Sequence, residues 1–426
     1  MLFLVPVVLL VALAAVGLPI VFGVGGIAMV SGLTSLGARF PLVAAQTMVN
    51  SLNSFVLISA PFFMLAGQIM NAGGMTRRIF RFATVLVGRL PGGLAQVVVL
   101  ASILFAGMTG SALAEAVALG SMAIPEMRRR GYHDVSSAAL VGAASTIGPI
   151  FPPSVPMVIY AALAEASVGR LFLAGIAPGL LIGLMLMGAA YLYARIGRFP
   201  SQPGGPRPPM LRATWEALPS LAAPVLVIGG IYSGLFTPTE AAMVAVAYCL
   251  VLSLLYRELT LRRLARIMID VAAVAGSLLL LIAATSFLGW IVARTGVMIE
   301  VALWLSSSVS SPAALMLIIT ALYLLVGLVM EPVPAMVLLV PILLPAVRIL
   351  QIDVVHFGVV TVLALVVGLI HPPVGLVMYA MARVAEVRVD RLALALLPFL
   401  IPVLIVLVLC AVFPGFVLFL PRLLYG

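Results

Sequence analysis

Residues 148–153 read Gly-Pro-Ile-Phe-Pro-Pro, and residues 368–373 read Gly-Leu-Ile-His-Pro-Pro. Each run sits in the middle of an apolar stretch, 136–168 for the first and 356–382 for the second. A proline removes a backbone donor and clashes with the turn before it, so two in a row break a helix and free carbonyls one turn earlier. Hydrocarbon offers those carbonyls no partner. Irregular backbone at membrane depth survives only against protein or a wet cavity. The two runs therefore read as discontinuous membrane helices that line a site.

The rest of the composition supplies the membrane. Of 426 residues, 64% are apolar and 8% charged, 23 basic and 13 acidic, where soluble domains carry about 25% charged residues. Too little charge is present to cover a water-facing surface. Apolar stretches recur from 2–16 to 392–420, several near the length of about 20 residues that a spanning helix needs. The chain reads as an all-α polytopic membrane protein. Its N-terminus lacks a basic region ahead of the apolar run, so that run reads as a membrane segment and not a cleaved signal. Every basic residue is Arg, which excludes a P-loop lysine. Cys249 and Cys410 lie far apart, and His133, His356 and His371 share no metal-ligand spacing. The net charge of +10 reads as cytoplasmic loop charge, with no nucleic-acid partner.

One offset relates the two broken helices and their surroundings. A shift of 220 residues puts Gly107 on Gly327, Pro125 on Pro345, Arg128 on Arg348, Gly148 on Gly368, Pro152-Pro153 on Pro372-Pro373 and Pro178 on Pro398. A fixed offset without gaps indicates an internal repeat. Between the halves, Arg195 to Trp215 (RIGRFPSQPGGPRPPMLRATW) reads as a linker. Arginine placement sets the orientation. Loops beside the 93–125 stretch carry Arg77, Arg78, Arg81, Arg89, Arg128, Arg129 and Arg130, whereas the matching loops of the second half carry Arg294 and Arg348. At the other end Arg170 stands alone against Arg383, Arg388 and Arg391. Positive-inside then makes the repeats inverted, puts the linker and the Arg257–Arg266 loop in the cytoplasm, and leaves both termini outside. The 93–125 stretch leaves and re-enters the cytoplasm. It is a re-entrant hairpin with its tip near Ala106–Ser111, and its counterpart at 312–345 has its tip near Gly327–Glu331. The expected organisation is a first inverted repeat at 1–194 (scaffold helices 1–92, hairpin and broken helix 93–170), a cytoplasmic linker at 195–216, and a second repeat at 217–426 (scaffold 217–296, hairpin and broken helix 297–391).

Unwound carbonyls bind cations, and half-helix N-termini favour anions. Two related breaks with hairpin tips beside them describe a secondary transporter that couples an ion to an anion. Glu115 and Glu331 flank the tips, where a carboxylate is either functional or held by a structural partner. Thr109, Ser111, Ser145 and Thr146 either contact a ligand or satisfy helix carbonyls. Glu240 in Phe236-Thr237-Pro238-Thr239-Glu240 reads as a helix cap, and Asp270 as interfacial. No His or Lys base stands near a plausible serine nucleophile, so the chain does not read as an enzyme.

At these residues the chain resembles the large membrane subunit of tripartite ATP-independent periplasmic (TRAP) transporters. The pieces that carry the resemblance are Gly110-Ser111, Gly120 through Met127 (GSMAIPEM), Arg130-Gly131-Tyr132, Gly148 through Ser154 (GPIFPPS), Pro156 through Tyr160, Phe236 through Ala242, Val340 through Pro345, His356-Phe357-Gly358 and Pro372 through Leu376. The resemblance covers nearly the whole chain. It implies an elevator-type importer of organic acids in the bacterial inner membrane, driven by a sodium gradient and needing no cofactor beyond the coupling ions. It also implies two partners: a small four-helix membrane subunit, expected here as a separate chain, and a periplasmic substrate-binding protein. By motif, the first sodium site would use carbonyls of Ala106, Thr109, Gly148, Phe151 and Pro153. The second would use Gly327, Gly368, His371 and Val374. Thr109, Ser111, Ser154 and Glu331 would hold the substrate. The chain departs from the family at His371, where Thr is usual before the second Pro-Pro, and at Ala106 and Thr109, where Ser is common. A histidine at 371 offers a protonatable ring where threonine offers none, which adds proton coupling as a further reading. The alternative is a stand-alone divalent-anion/sodium symporter of the related elevator class, which needs no soluble partner.

Overall fold

Helix is the only regular secondary structure among the described residues of the computed structural model, which are 20–200, 209–296, 300, 303–304, 309 and 311–425. The apolar stretch at 2–16 and part of that at 297–330 lie outside them. In the first half the helices are α1 (Ile20–Leu36), α2 (Phe40–Leu52), α3 (Phe55–Ala72), α4 (Met75–Val87), α5 (Gly93–Thr109), α6 (Ala112–Arg129), α7 (Asp134–Ala144), α8 (Val155–Ala164) and α9 (Val168–Arg195). The second half has α10 (Met210–Tyr232), α11 (Pro238–Leu255), α12 (Leu261–Arg294), α13 (Pro312–Gly327), α14 (Pro332–Ile349), α15 (Val354–Gly368), α16 (Leu376–Ala385), α17 (Val389–Val412), α18 (Pro414–Val417) and α19 (Phe419–Tyr425). Among the described residues, 8 helical stretches are long and apolar enough to cross a bilayer, α1 and α2 forming one continuous stretch from Val21 to Leu52. The protein is a multi-span membrane protein.

Interruptions fall where the sequence places its breakers. Gly110 ends α5 in the left-handed region, at φ 60°, a conformation that suits glycine because it lacks a Cβ. Ser111 then caps α6. A short 3-10 turn at Ser145–Ile147 ends α7, and the Pro-Pro run separates it from α8. In the second half α13 ends at Gly327, and α14 begins at Pro332 with proline in its first turn, where the missing donor costs nothing. The second Pro-Pro run separates α15 from α16. The offset of 220 carries Ala112 and Arg129, the ends of α6, onto Pro332 and Ile349, the ends of α14.

The broken helices interlock. α8 packs on α14 and α15 of the other half, while α16 packs on α6 and α7 of the first. The Tyr160 hydroxyl of α8 donates to the Val354 carbonyl at 2.6 Å, and its ring lies over Gly358, where a Cβ would not fit. α15 is buried along Val355–Gly368, so it forms the centre of this bundle. Around it, α1, α2 and α3 pack on α12, and α11 packs on α3 and α10. These outer helices meet the centre where α3 touches α5 and α8 and where α12 touches α14.

Some helices depart from the sequence reading. α2 fills most of the gap between the apolar stretches at 18–36 and 51–72, and α4 occupies a segment expected as a basic loop. α10 begins at Met210, so the last part of the expected 195–216 linker is helical. α4 is amphipathic: Met75, Thr76, Ile79 and Ala83 are buried, while Arg77 and Arg81 point out. A search for uniformly apolar windows passes over such a helix.

Candidate functional site

The tip of the first hairpin presses on the start of α8. A Cβ on Gly110 would sit 2.8 Å from Val155 Cβ. This contact brings two half-helix N-termini together. Ser111 accepts a hydrogen bond from the Ala114 N–H at 3.3 Å and so caps α6. Ser154 accepts from the Met157 N–H at 3.3 Å to cap α8, and its hydroxyl donates to the Pro149 carbonyl across the break. Each N-terminus carries roughly half a positive charge. Facing ends of this kind offer an anion backbone donors and a favourable field without any basic side chain.

Behind the tip lies a buried carboxyl. Glu115 is 1% exposed; its Oε1 accepts from Ser102 at 2.5 Å, and Ser102 also bonds the Ala144 carbonyl at 3.0 Å. Its Oε2 has no protein partner and packs against Gly148, in the space a side chain there would need. Glu115 therefore ties both hairpin arms to the first break. Ser145 and Thr146 donate to the carbonyls of Gly142 (2.8 Å) and Ala143 (2.7 Å), so both hydroxyls serve the last turn of α7.

The residues expected as cation ligands of the first site lie on α5 and on the first break. Ala106, Gly148 and Pro153 are buried, and Phe151 is half-buried with its ring against Gly179 of α9. Pro153 faces a narrow apolar cleft lined by Phe63 and Met70 of α3, Val227 of α10 and Cys249 of α11. Thr109 ends α5, and its side chain lies outside the described residues. At the second break Gly327 and Gly368 stand back to back: a Cβ on Gly368 would be 2.6 Å from Gly327 Cα. His371 is half-buried. Its Nδ1 lies 2.5 Å from the Pro372 carbonyl and donates to it, because a carbonyl only accepts. Val374 is 40% exposed, and Glu331 is exposed at the N-cap of α14 with no capping bond from its side chain. The first break is closed in, and the second is open on one side. Among the described residues no three His, Cys, Asp or Glu side chains form a metal cluster.

Glu240 serves structure. Glu240 forms a capping box with Thr237: its Oε2 accepts from the Thr237 N–H at 2.8 Å, and Thr237 Oγ1 accepts from the Glu240 N–H at 3.3 Å. Asp270 is exposed on α12. Ser102 was not singled out from the sequence. The signal was present, since 102 and 115 are mirror positions about a tip at 106–111, and a hairpin places such positions opposite each other.

Residues 7–416 match the family model described as "Tripartite ATP-independent periplasmic transporter, DctM component". The chain belongs to this family. Its relatives include the sialic acid TRAP transporter large permease protein of Vibrio cholerae, 42% identical over 92% of this chain and 91% of that protein. Another is the C4-dicarboxylate TRAP transporter large permease protein of Pseudomonas aeruginosa, 37% identical over 86% of each. Transporters of this family work with a small membrane subunit and a periplasmic binding protein, and the relatives named here are their large permease proteins. In fold the chain is similar to the YdaH transporter of Alcanivorax borkumensis, with a TM-score of 0.67, 18% identity, and coverage of 89% of this chain and 90% of that one.

Proposed function

We propose that this chain imports an organic acid on a sodium gradient by an elevator motion, receiving the acid from a periplasmic substrate-binding protein. The observation that carries the reading is the convergence of the capped N-termini of α6 and α8 at Gly110 and Val155. Such a cradle suits a carboxylate, and the names of two relatives carry acids. Thr109, Ser111 and Ser154 contact the substrate, with Glu331 at the matching tip of the other half. Sodium binds the carbonyls of Ala106, Thr109, Gly148, Phe151 and Pro153 at one break, and those of Gly327, Gly368, His371 and Val374 at the other. The halves are inverted repeats. Hairpins and broken helices move together against a scaffold of α1–α3 and α10–α12 in the bacterial inner membrane, with both termini periplasmic. A small four-helix subunit completes the membrane part.

Uptake into proteoliposomes tests the whole reading. The chain is assayed alone, then with its small subunit and binding protein, each with and without an inward sodium gradient. Uptake only in the complete, sodium-driven mixture is the expected result. Sodium-driven uptake by the chain alone would identify a stand-alone symporter, and uptake indifferent to sodium would remove the coupling ion.

A further inference from the structure

A second feature lies at the Arg-rich end of the bundle, away from both breaks. There α4, α10 and the end of α11 enclose a cavity of 320 Å³, lined by Arg77, Arg78, Arg81, Trp215, Glu216, Pro219 and Tyr256. Its charges do not balance. Glu258 Oε1 is shared by Arg77 at 2.6 Å and Arg78 at 3.1 Å. Glu216 is shared by Arg81 at 3.7 Å and Arg212 at 2.8 Å. Four guanidinium groups thus stand on two carboxylates, an excess of two positive charges. The side chains of Arg77 and Arg81 are each 55% exposed, so part of that excess is open to a ligand. Arg78 is fixed behind them. It donates to the Gly74 carbonyl at 3.0 Å, and its guanidinium lies 3.6 Å from the centre of the Tyr256 ring. The Tyr256 hydroxyl is buried and has no hydrogen-bond partner, an unusual state for a group that finds one almost everywhere else.

The surroundings select the ligand. Trp215 beside the cavity is 67% exposed, and Leu211 and Leu255 are exposed by 72% and 70%. An outward tryptophan above apolar side chains marks the level of the lipid headgroups. Exposed Arg257, Arg262, Arg263 and Arg266 follow at the same end, at the start of α12. Guanidinium forks bind phosphate oxygens in pairs, and basic cavities between membrane helices take anionic headgroups.

We propose that this cavity binds the phosphodiester headgroup of an anionic phospholipid, with Arg77 and Arg81 on the phosphate and the acyl chains against the exposed leucines. The apolar flank distinguishes a lipid from free phosphate, which has no use for it. α4 packs on α5 of the first hairpin and on α10 of the outer helices, so a lipid held here braces the joint between them. None of this depends on the coupling ion or the transported acid.

Native mass spectrometry of the purified, delipidated full chain in detergent provides the test, with phosphatidylglycerol, phosphatidylcholine and inorganic phosphate added in separate arms. Phosphatidylglycerol should bind and raise the melting temperature, whereas phosphatidylcholine and phosphate should do neither. Arg77→Gln with Arg81→Gln should weaken phosphatidylglycerol about thirtyfold, and Arg77→Lys with Arg81→Lys should restore most of the binding. Both arginines are exposed, so the glutamine variant should fold, and an unchanged helical circular dichroism signal checks this. Equal binding of the two lipids, undiminished binding by the glutamine variant, or stabilisation by phosphate alone would each overturn the assignment. So would loss of the bound lipid when the small membrane subunit is added, because the cavity would then be a subunit interface.

Discussion

Gly368 and Gly148 show how little room the breaks allow. The neighbour of Gly368 is the backbone of Gly327, which cannot swing aside as a side chain can. Gly368→Ala should therefore cost about 1–3 kcal/mol of stability, the range for forcing a methyl into a packed interior, seen as a lower melting temperature in detergent. Gly188→Ala is the control, because nothing lies within 4 Å of its added Cβ, and it should leave the melting temperature unchanged or slightly raised. Equal shifts for the two would show that the second break is loosely packed. At the first break the neighbour of Gly148 is Glu115, whose hold on Ser102 can be measured separately. Ser102→Ala leaves a buried carboxyl oxygen without its donor, at a cost of about 1–3 kcal/mol. In a Glu115→Leu background the same change should cost much less, since Ser102 then serves only the Ala144 carbonyl. Additive losses in this cycle would remove the link between the hairpin arms.

At the scale of elements, three capped N-termini use the same chemistry in different places. Ser111 caps α6 and Ser154 caps α8 at the convergence point, whereas Thr237 caps α11 among the outer helices. Losing any of these caps costs about 1 kcal/mol of stability. Only the first two face the proposed anion. Ser111→Ala should raise the substrate concentration for half-maximal uptake about tenfold, the loss of one hydrogen bond to a charged group, while Thr237→Ala leaves it unchanged. An equal rise for Thr237→Ala would reduce Ser111 to a structural cap. The breaks themselves were legible in the sequence, because Gly110, Gly327 and the Pro-Pro runs act through their own backbone chemistry wherever they fall. The capping role of Glu240 was legible for the same reason, as box partners lie three residues apart. Helices α2 and α4 were not, since polar residues interrupt their apolar faces. Nor was the contact of Gly110 with Val155, because it exists only after separate elements have docked; Gly327 and Gly368 were placed at one site only through the family resemblance.

Taken whole, the molecule holds two groups of helices that meet along a seam, with α3 against α5 and α8 on one side and α12 against α14 on the other, and with α4 packed on both α5 and α10. Within the inner group the contacts interlock: α8 and α16 each cross into the opposite half. Across the seam the cleft at Pro153 is lined by apolar side chains, which can slide without breaking hydrogen bonds. An elevator requires this contrast, and cross-links separate it from a fixed pore. α9 packs on α5, α8 and α15 and so belongs with the inner group; its Phe172 faces Phe63 of α3 across the seam, with ring centroids 6.1 Å apart. Tyr160 of α8 and Phe357 of α15 are 5.9 Å apart within the inner group. Both pairs are replaced by cysteine in a background lacking Cys249 and Cys410, then bridged with a short cleavable bis-thiosulfonate. Bridging Phe63→Cys to Phe172→Cys should abolish uptake until reductant is added, because it ties the moving group to the scaffold. Bridging Tyr160→Cys to Phe357→Cys should leave the reduced-state rate unchanged, because both ends travel together. Full uptake with the seam bridged would mean that the acid crosses without any relative displacement of the two groups.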